Sequence, residues 1–280
     1  MISNSSRKDE TLERLTNGIA QLTSSETWTT WLRVQARFHQ YSFSNALLVA
    51  LQCPEATRVT GFHTWRRLGR TVRRGENALW ILAPVTRRVV SDDDPEQSTR
   101  VVTAFKPVPV FDVSQTTGED LPEICTRLSG DDPLGAYAQV LQVASDIDFT
   151  VEDHVFEDET NGDCSHGSRR IRVSTGLQPA HRVKTLCHEL GHAFLHSEPT
   201  DRALAELEAE SVAFIVSDGL DIQSDAWSFG YIASWSGGGA EAIAAIKAAG
   251  TRIQRTADRI LSALELEGDS GEEPVSNDGP

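Results

Sequence analysis

The chain of 280 residues lacks the features that mark secreted and membrane proteins. No uncharged apolar run approaches the roughly 18–20 residues that cross a bilayer. Residues 1–15 contain no apolar stretch that could act as a signal peptide. The four cysteines form no CxxC pair, which favours a reducing compartment over a disulfide framework. These absences predict a cytoplasmic protein with no membrane partner.

Acidic residues are scarce in the first third of the chain and abundant afterwards. Residues 1–90 contain 13 Lys+Arg and 6 Asp+Glu, a balance of +7. The remaining residues contain 13 and 35, a balance of −22. Opposite charge in the two parts predicts two functions, although the acidic part could also serve solubility alone.

The order of predicted elements favours an α+β protein of two domains. Helical spacing predicts helices over 9–22, 26–38, 44–52 (with Ser44 as N-cap), 133–145, 180–196, 204–219 and 240–266. Two apolar runs at 78–85 and 100–111 flank an acidic turn and predict a β-hairpin. We expect a small α/β domain over 9–122, a mostly helical domain over 131–266 and a disordered acidic tail over 267–280.

The stretch "TLCHELGHAFLH" at 185–196 contains two histidines one helical turn apart. Residues i and i+4 share a helix face, so His188 and His192 can direct ring nitrogens at one ion. Glu189 lies about 100° further round the helix and could act as a general base on a water. This pattern predicts a Zn²⁺ site, in which a catalytic zinc takes three protein ligands and keeps one position open.

The third ligand is expected on the next helix, in "AELEAESVAF". Glu206 is the preferred candidate and Glu208 the alternative. Glu210 shares a face with Glu206 and is expected to accept the remaining N–H of a metal-binding imidazole. Ala209 is expected to let the two helices approach closely.

Other polar residues near the motif have less certain roles. On a continuous helix His196 lies roughly 12 Å from His188, so a supporting role is expected for it rather than ligation. Cys164 could ligate the zinc and hold an enzyme latent, or be an ordinary core residue. Three side chains could stabilise an oxyanion, and the sequence does not choose among them: His166, Arg169 and Tyr231.

The segment 58–88 carries eight arginines and one acid, Glu76, with aromatic residues interleaved. Arginines follow phosphates, and aromatic faces stack on unpaired bases, so the mixture predicts binding of single-stranded DNA. The candidate DNA-binding residues are Phe62, Trp65, Arg66, Arg67, Arg70, Arg73 and Arg74. Two alternatives remain: Trp65 and Trp80 could belong to the core, and the arginines could dock on the acidic part of the chain.

Three stretches of the N-terminal part resemble the N-terminal domain of ArdC-type antirestriction proteins. They are "YSFSNALLVALQ", "GFHTWRRLGRTVRRGENALWILAP" and "VFDVSQTTGEDLP". The matching positions are Ser44, Asn45, Gly61, Phe62, Trp65, Gly69, Arg70, Val72, Gly75, Glu76, Pro84, Phe111, Asp112, Gln115 and Thr116. The resemblance implies a single-strand-DNA-binding domain joined to a zincin domain, in a protein that protects incoming DNA from restriction.

The pattern HELGHxxLH, followed by a helix with Glu-x-x-Ala-Glu, resembles the ImmA/IrrE-type zincin metallopeptidases. That resemblance implies zinc held by His188, His192 and Glu206, with Glu189 as the base. It also implies an edge strand for an extended protein substrate, for which "GSRRIRVS" at 167–174 is the candidate. The expected function is a single-stranded-DNA-binding antirestriction protein with a zinc metallopeptidase site. The alternative is a regulatory endopeptidase that cleaves a repressor or other DNA-associated protein, with the N-terminal domain recognising protein.

Overall fold

A computed structural model of the chain describes residues 4–90, 98–119, 133–222, 227, 229, 232, 235 and 239–268. Helices and strands are mixed along the chain, which confirms the α+β class. None of the described helices combines the length and apolarity needed to cross a bilayer. Two expectations fall outside the described residues: the role of Tyr231 and the acidic tail expected over 267–280, of which only residues 267 and 268 are described, within the last helix.

The N-terminal part begins with three helices, which are followed by short strands and a long hairpin. Its helices are α1 (Asn4–Gln21), α2 (Ser25–Arg37), α3 (Phe43–Gln52) and α4 (Phe62–Arg67). Its strands are β1 (Val59–Thr60), β2 (Arg70–Val72), β3 (Leu79–Val90), β4 (Ser98–Asp112) and β5 (Thr116–Gly118), with a 3₁₀ turn at Val113–Gln115. The predicted hairpin is therefore confirmed as β3–β4, longer than expected on both sides. The N-cap of α3 is Ser42 and not Ser44, because the Ser42 hydroxyl accepts from the Asn45 N–H.

The first sheet has the order β1–β4–β3, all antiparallel, so β3 is an edge strand. Side chains from α3 form hydrogen bonds with backbone groups on the unpaired edge of β3. Asn45 accepts from the Leu82 N–H at 2.9 Å and donates to the Leu82 carbonyl at 3.0 Å. Gln52 makes the same pair of bonds to Trp80, at 3.0 Å each. Two amide side chains thus replace part of a neighbouring strand and fix α3 against the sheet.

The C-terminal part contains four helices and a small sheet that packs mainly against the second of these helices. Its elements are α5 (Pro133–Asp146), β6 (Thr150–His154), β7 (Gly162–Ser165), β8 (Arg170–Ser174), α6 (Pro179–Leu195), α7 (Arg202–Gly219) and α8 (Gly239–Gly268). The four helices expected here are present with bounds shifted by one or two residues. In the sheet, β8 lies between parallel β6 and antiparallel β7.

One hydrophobic core extends across the expected boundary between the two parts. Trp28, Trp31 and Phe43, from α2 and α3, belong to the same buried cluster as Val212 of α7 and Ile253 of α8. The helix α8 comes so close to α3 that a Cβ at position 250 would lie 2.4 Å from the Phe43 ring. The expected boundary between residues 122 and 131 therefore does not divide this hydrophobic core.

Candidate metal centre and basic surface

The helices α6 and α7 cross where both carry a small residue. A Cβ added at Gly191 would lie 2.8 Å from the Ala209 Cα, too close for any side chain. The contact is the one expected from the sequence for Ala209, and it brings the HExxH turn of α6 next to the acidic turn of α7. The Asp201 side chain caps α7 by accepting a hydrogen bond from the Leu204 N–H at 3.0 Å, so that the helix begins at Arg202.

Three ligand atoms converge at this crossing: Nε2 of His188, Nε2 of His192 and Oε2 of Glu206. The separations are 3.1 Å between the two nitrogens, and 3.4 and 3.8 Å from the carboxylate oxygen to His188 and His192. A tetrahedral ion with bonds of about 2.05 Å needs ligand atoms about 3.3 Å apart. The three atoms could therefore hold a small divalent cation with little movement.

Glu189 is buried beside these ligand atoms, with 6% of its surface exposed. Burial raises the pKa of its carboxyl to about 7, and the nearby Glu206 and Asp163 add to the effect while His188 opposes it. A carboxyl with a pKa near neutrality can both accept and return a proton. This is the property required of the general base that the sequence predicted at this position.

A second carboxylate supports the ring of His188. Glu210 bonds Nδ1 of His188 at 3.0 Å, and Lys184 lies 3.0 Å from its other oxygen. Although burial lowers the pKa of His188, its bonds to Glu206 and Glu210 raise it to about 9. The contact with His188, together with the neighbouring His192 ring, holds the pKa of the Glu206 carboxyl well below its ordinary value. Glu210 thus has the contact expected for it, and Lys184, one turn before His188, is a partner that helical spacing could have identified.

Neither His196 nor Glu208 is a ligand in this arrangement. His196 bonds Nδ1 of His192 at 2.9 Å, and its Nε2 lies 3.1 Å from Glu208. Glu208 is 1% exposed and its other oxygen accepts from Arg252 at 2.9 Å. The alternative that Glu208 completes the metal site is therefore wrong, because its carboxylate is turned into the protein. Arg252 lies 44 residues after Glu208, and no local pattern in the sequence predicts this contact.

The edge strand beside the candidate base is β7 and not the segment expected from the sequence. The expected segment 167–174 forms β8, which is central in its sheet because β6 and β7 pair with its two sides. The β7 strand is short and polar, "GDCS", and gave no strand signal. A Cβ at Gly162 would lie 3.0 Å from Oε1 of Glu189, so the backbone of β7 passes directly by that carboxylate.

Two of the oxyanion candidates bond to backbone carbonyls, and the Cys164 thiol is partly buried. Nε2 of His166 lies 3.1 Å from the His192 carbonyl, and Arg169 donates to the backbone carbonyls of Ile147 and Asp148. Burial raises the pKa of the Cys164 thiol to about 12, with a further contribution from Glu189. Among the described residues the metal-binding cluster does not include Cys164.

The basic surface is defined here as Arg66 and Arg67 of α4, Arg70 of β2, and Arg73 and Arg74, which directly follow β2. Only Arg70 is half-buried; it donates to Thr116 and to the carbonyls of Gly118 and Glu119. Arg73 pairs with Glu76 at 2.7 Å. Among the hydrogen bonds and ion pairs described for these five arginines, none involves a residue that follows Glu119 in the sequence. These contacts give no support to docking of the arginines on the acidic part of the chain.

The two aromatic candidates in this segment differ sharply. Trp65 is 1% exposed and donates its indole N–H to the Phe111 carbonyl at 2.9 Å. This burial contradicts a stacking role for Trp65, whose ring belongs to the fold. Phe62 is 40% exposed and remains available for stacking. Trp80 is half-buried, and Arg7 lies over its ring at 4.8 Å.

Other residues of the N-terminal motif hold the chain rather than a ligand. Asp112 is 1% exposed and accepts from the backbone N–H groups of Thr57, Arg58 and Ser114 at 2.9–3.0 Å. Gln115 closes the capping box by accepting from the Asp112 N–H. The motif thus specifies the path of the strands that present the arginines.

Comparison with protein families assigns each part of the chain separately. Residues 7–111 match the model of the N-terminal domain of anti-restriction factor ArdC. Residues 145–217, which include α6 and α7, match the model of the IrrE N-terminal-like domain. The two matches lie in the order expected from the sequence.

Whole-chain comparisons extend over most of the molecule. A protein of Bacillus anthracis described as uncharacterized protein pXO2-81/BXB0111/GBAA_pXO2_0111 is 24% identical over 95% of this chain, which spans 54% of that protein. The crystal structure of antirestriction ArdC protein from the R388 plasmid, in its metal-free form, superposes with a TM-score of 0.52 at 19% identity. That match covers 82% of this chain and 86% of the other, and the Mn(II)-bound form covers 82% and 85% with the same score.

Proposed function

We propose, from the ArdC-type architecture of the chain, that it is a metal-dependent antirestriction protein. In this proposal the basic surface binds single-stranded DNA, and the site at the α6–α7 crossing is a zinc metallopeptidase centre. The metal ligands are His188, His192 and Glu206, the base is Glu189, and Glu210 orients His188.

The observation that carries the proposal is the spacing of the three ligand atoms around a point beside a buried carboxyl. Separations of 3.1, 3.4 and 3.8 Å match the donors of a tetrahedral site better than a chance surface cluster would. Nitrogen and carboxylate donors suit zinc, and they also accept manganese, the metal named for the R388 protein. A bound divalent cation would supply Lewis acidity, which polarises a carbonyl and lowers the pKa of water.

The residues of the chain supply the proton transfers and the substrate position. Glu189, with its pKa raised to about 7, would take a proton from the attacking water and return it to the leaving amine. An extended peptide could pair with the free edge of β7, whose backbone passes Glu189 at Gly162. The proposed substrate is a protein segment that can adopt an extended conformation at this edge.

Metal titration tests the site directly. Calorimetry with Zn²⁺ and with Mn²⁺ should give one site per chain, and Glu206→Gln should weaken binding at least tenfold because a charged ligand is lost. Glu198→Gln is the matched control, since Glu198 is an exposed acid between α6 and α7. Equal affinity in wild type and Glu206→Gln would remove Glu206 from the site.

The DNA-binding part of the proposal rests on the exposed arginines of the basic surface together with Phe62. Four of the five side chains of the basic surface are exposed, and these four lie in α4 and just after β2. Backbone phosphates bind such a surface without sequence preference, and an exposed aromatic ring can stack on a base. Fluorescence anisotropy with a single-stranded oligonucleotide at several salt concentrations should show steeply salt-dependent binding.

A regulatory endopeptidase is the second candidate, and the β3–β4 hairpin favours it. Beyond the part covered by α3, this hairpin exposes Val85, Val101, Val102 and Phe105, with 38–50% of each side chain accessible. Exposed apolar side chains on paired strands suit a protein partner better than a nucleic acid. Absence of oligonucleotide binding at low salt, with metal binding intact, would favour this candidate over the antirestriction protein.

A further inference from the structure

The ring of His192 is held by a chain of polar side chains that reaches the last helix. Its Nδ1 lies 2.9 Å from Nδ1 of His196, whose Nε2 lies 3.1 Å from Oε2 of Glu208. The other oxygen of Glu208 accepts two bonds from Arg252 of α8, one of them at 2.9 Å. We call His196, Glu208 and Arg252 the α8 relay. His196 and Glu208 each use one atom for one neighbour and another atom for the other neighbour. The bonds therefore form a single chain from His192 to Arg252.

The carboxylate at the centre of the α8 relay determines which nitrogen carries the proton in both rings. An ionised carboxylate only accepts, so His196 must keep its proton on Nε2 to donate to Glu208. Nδ1 of a neutral His196 is then an acceptor, and His192 must donate from its own Nδ1. The remaining nitrogen of His192, Nε2, carries no proton and presents a lone pair beside Nε2 of His188.

The opposite assignment of protons would spoil the site. If Nε2 of His196 accepted a hydrogen bond, its Nδ1 would donate to His192, and the proton of His192 would occupy Nε2. That N–H would point at the position where the ligand atoms converge. The carboxylate of Glu208 therefore selects the ligating form of an imidazole that it does not touch.

The burial of Glu208 argues against a role in stability alone. With 1% of its surface exposed, the carboxylate loses nearly all contact with water, and Arg252 itself is 44% exposed at its side chain. Apolar residues of similar size commonly stabilise a fold as well as a buried ion pair does. The backbone of His192 is also fixed, because Nε2 of His166 lies 3.1 Å from its carbonyl. Ring orientation is the property that the α8 relay adds.

We infer that the α8 relay positions His192, so that His196, Glu208 and Arg252 are positioning residues for a divalent metal. The inference rests on the metal site of the proposed function and deepens it. It differs from the contact of Glu210 with His188, because that carboxylate acts directly on its ligand. Here a second histidine transmits the effect of a carboxylate that belongs to the core.

The decisive variant is Glu208→Gln, since an amide of the same shape can donate to Nε2 of His196 and reverse the proton order. Three quantities are measured: Mn²⁺ and Zn²⁺ affinity by competition with a chelator, thermal stability without metal, and histidine tautomers by ¹⁵N NMR without metal. We expect affinity to fall about 10- to 100-fold. We also expect the proton of His192 to move from Nδ1 to Nε2, while the melting temperature of the metal-free protein is kept or raised.

Ser217→Ala is the control, because Ser217 is buried on the same helix as Glu208 and its hydroxyl has no described partner. It should leave metal affinity unchanged. His196→Phe keeps the size of the ring and removes both nitrogens; it should weaken the metal, and Glu208→Gln added to it should have no further effect. If Glu208→Gln fails to fold, His196→Phe alone tests the α8 relay by comparison with wild type and Ser217→Ala.

The outcomes separate the inference from the function on which it rests. If wild type and Ser217→Ala bind no divalent metal, both the proposed site and the α8 relay are overturned. If they bind metal and Glu208→Gln binds it equally well, only the relay is overturned. A fall in metal-free stability with unchanged affinity and tautomers would assign Glu208 to the core alone, which also overturns it.

Discussion

The two regions that the sequence singled out use their motif residues in opposite ways. Around α6 and α7 the motif side chains converge, and His188, His192 and Glu206 place one atom each at a common point. In the N-terminal part the motif residues diverge: Asn45 and Asp112 bond to backbone, while the arginines face solvent. A motif can thus specify chemistry in one region and only a scaffold in another. In the N-terminal part, the proposed DNA binding depends on exposed arginines, which can contact phosphates without a fixed geometry.

The largest expected effect is on the converging side. Glu189→Gln should lower peptidase activity by about 10²–10⁴-fold, because the amide cannot take a proton from water. Metal affinity should stay within a few-fold, since Glu189 is not among the three ligands. Cleavage of extended peptide substrates measures the activity, and metal titration of the same sample measures the affinity. Loss of protection of unmodified DNA in a restricting host would make proteolysis part of the biological role, whereas unchanged protection would exclude it.

The next effect concerns pH at the same centre. A metal must displace the proton that His188 holds with a pKa of about 9, so affinity should rise about tenfold per pH unit up to that value. The stability of the metal-free protein, in contrast, should fall as pH rises. A raised histidine pKa stabilises the fold fully below the unfolded pKa of about 6.5, and this stability is lost as pH rises through about 9.

Calorimetry and thermal melts from pH 6 to 9.5 measure the two trends. Glu210→Gln removes one bond that raises the pKa of His188 and should shift both curves to lower pH. Affinity that is flat across this range in wild type would contradict the coupling between proton and metal.

An intermediate effect is expected on the scaffold side. Asp112→Ala should lower the free energy of unfolding by about 2–3 kcal/mol, since three backbone donors lose their acceptor. Although burial raises it, these bonds hold the pKa of Asp112 below its ordinary value. Its stabilisation is therefore complete above the unfolded pKa of about 3.9 and is lost as pH falls through the lower folded pKa. Urea unfolding at pH 7 and pH 3 measures this.

Asp158→Ala is the control for that prediction, because Asp158 also accepts a backbone N–H but is exposed. Its loss should cost less than about 0.5 kcal/mol. Equal costs at positions 112 and 158 would mean that burial of Asp112 contributes nothing.

The smallest effect is expected from the exposed arginines. Replacing Arg66, Arg67 and Arg74 by Gln should weaken single-strand binding by roughly tenfold at moderate salt, with loss of up to about 2 units from the salt slope. Arg70 and Arg73 are left in place because Arg70 donates to Thr116 and Arg73 pairs with Glu76, whereas among the described residues Arg67 bonds only to Thr64 of its own helix. The control replaces Arg33, Arg202 and Arg255, which are exposed outside the basic surface. Equal loss of affinity in both triple variants would show that total charge matters and the basic surface does not.

Local spacing predicted most of the helices and the contacts within one or two turns. The pairing of His188 with Glu210 followed from two helices whose facing positions, Gly191 and Ala209, are both small. The β3–β4 hairpin followed from two apolar runs around an acidic turn. In each case the interacting residues are close in sequence or lie on faces that periodicity defines.

What the sequence could not provide depended on distant or weakly patterned residues. The strand β7 consists of four small or polar residues, and only pairing with β8 makes it a strand. The burial of Trp65 depends on β4, which supplies the Phe111 carbonyl 46 residues away. Arg252 reaches Glu208 from another helix. Ser42 caps α3 in place of Ser44, an error of the size expected for helix ends.

The shared core has a consequence for anyone who tries to dissect or transplant this protein. Trp28 of α2 donates its indole N–H to the Ser211 hydroxyl of α7 at 3.0 Å, in a fully buried contact. A fragment that starts after residue 122 would lose α2 and leave that face of α7 bare, on the helix that carries Glu206. Expressed alone, the part that carries the candidate metal site should aggregate or collapse, and an inactive fragment would say nothing about the chemistry of the intact chain. The candidate metal site and the N-terminal helices therefore belong to a single folding unit.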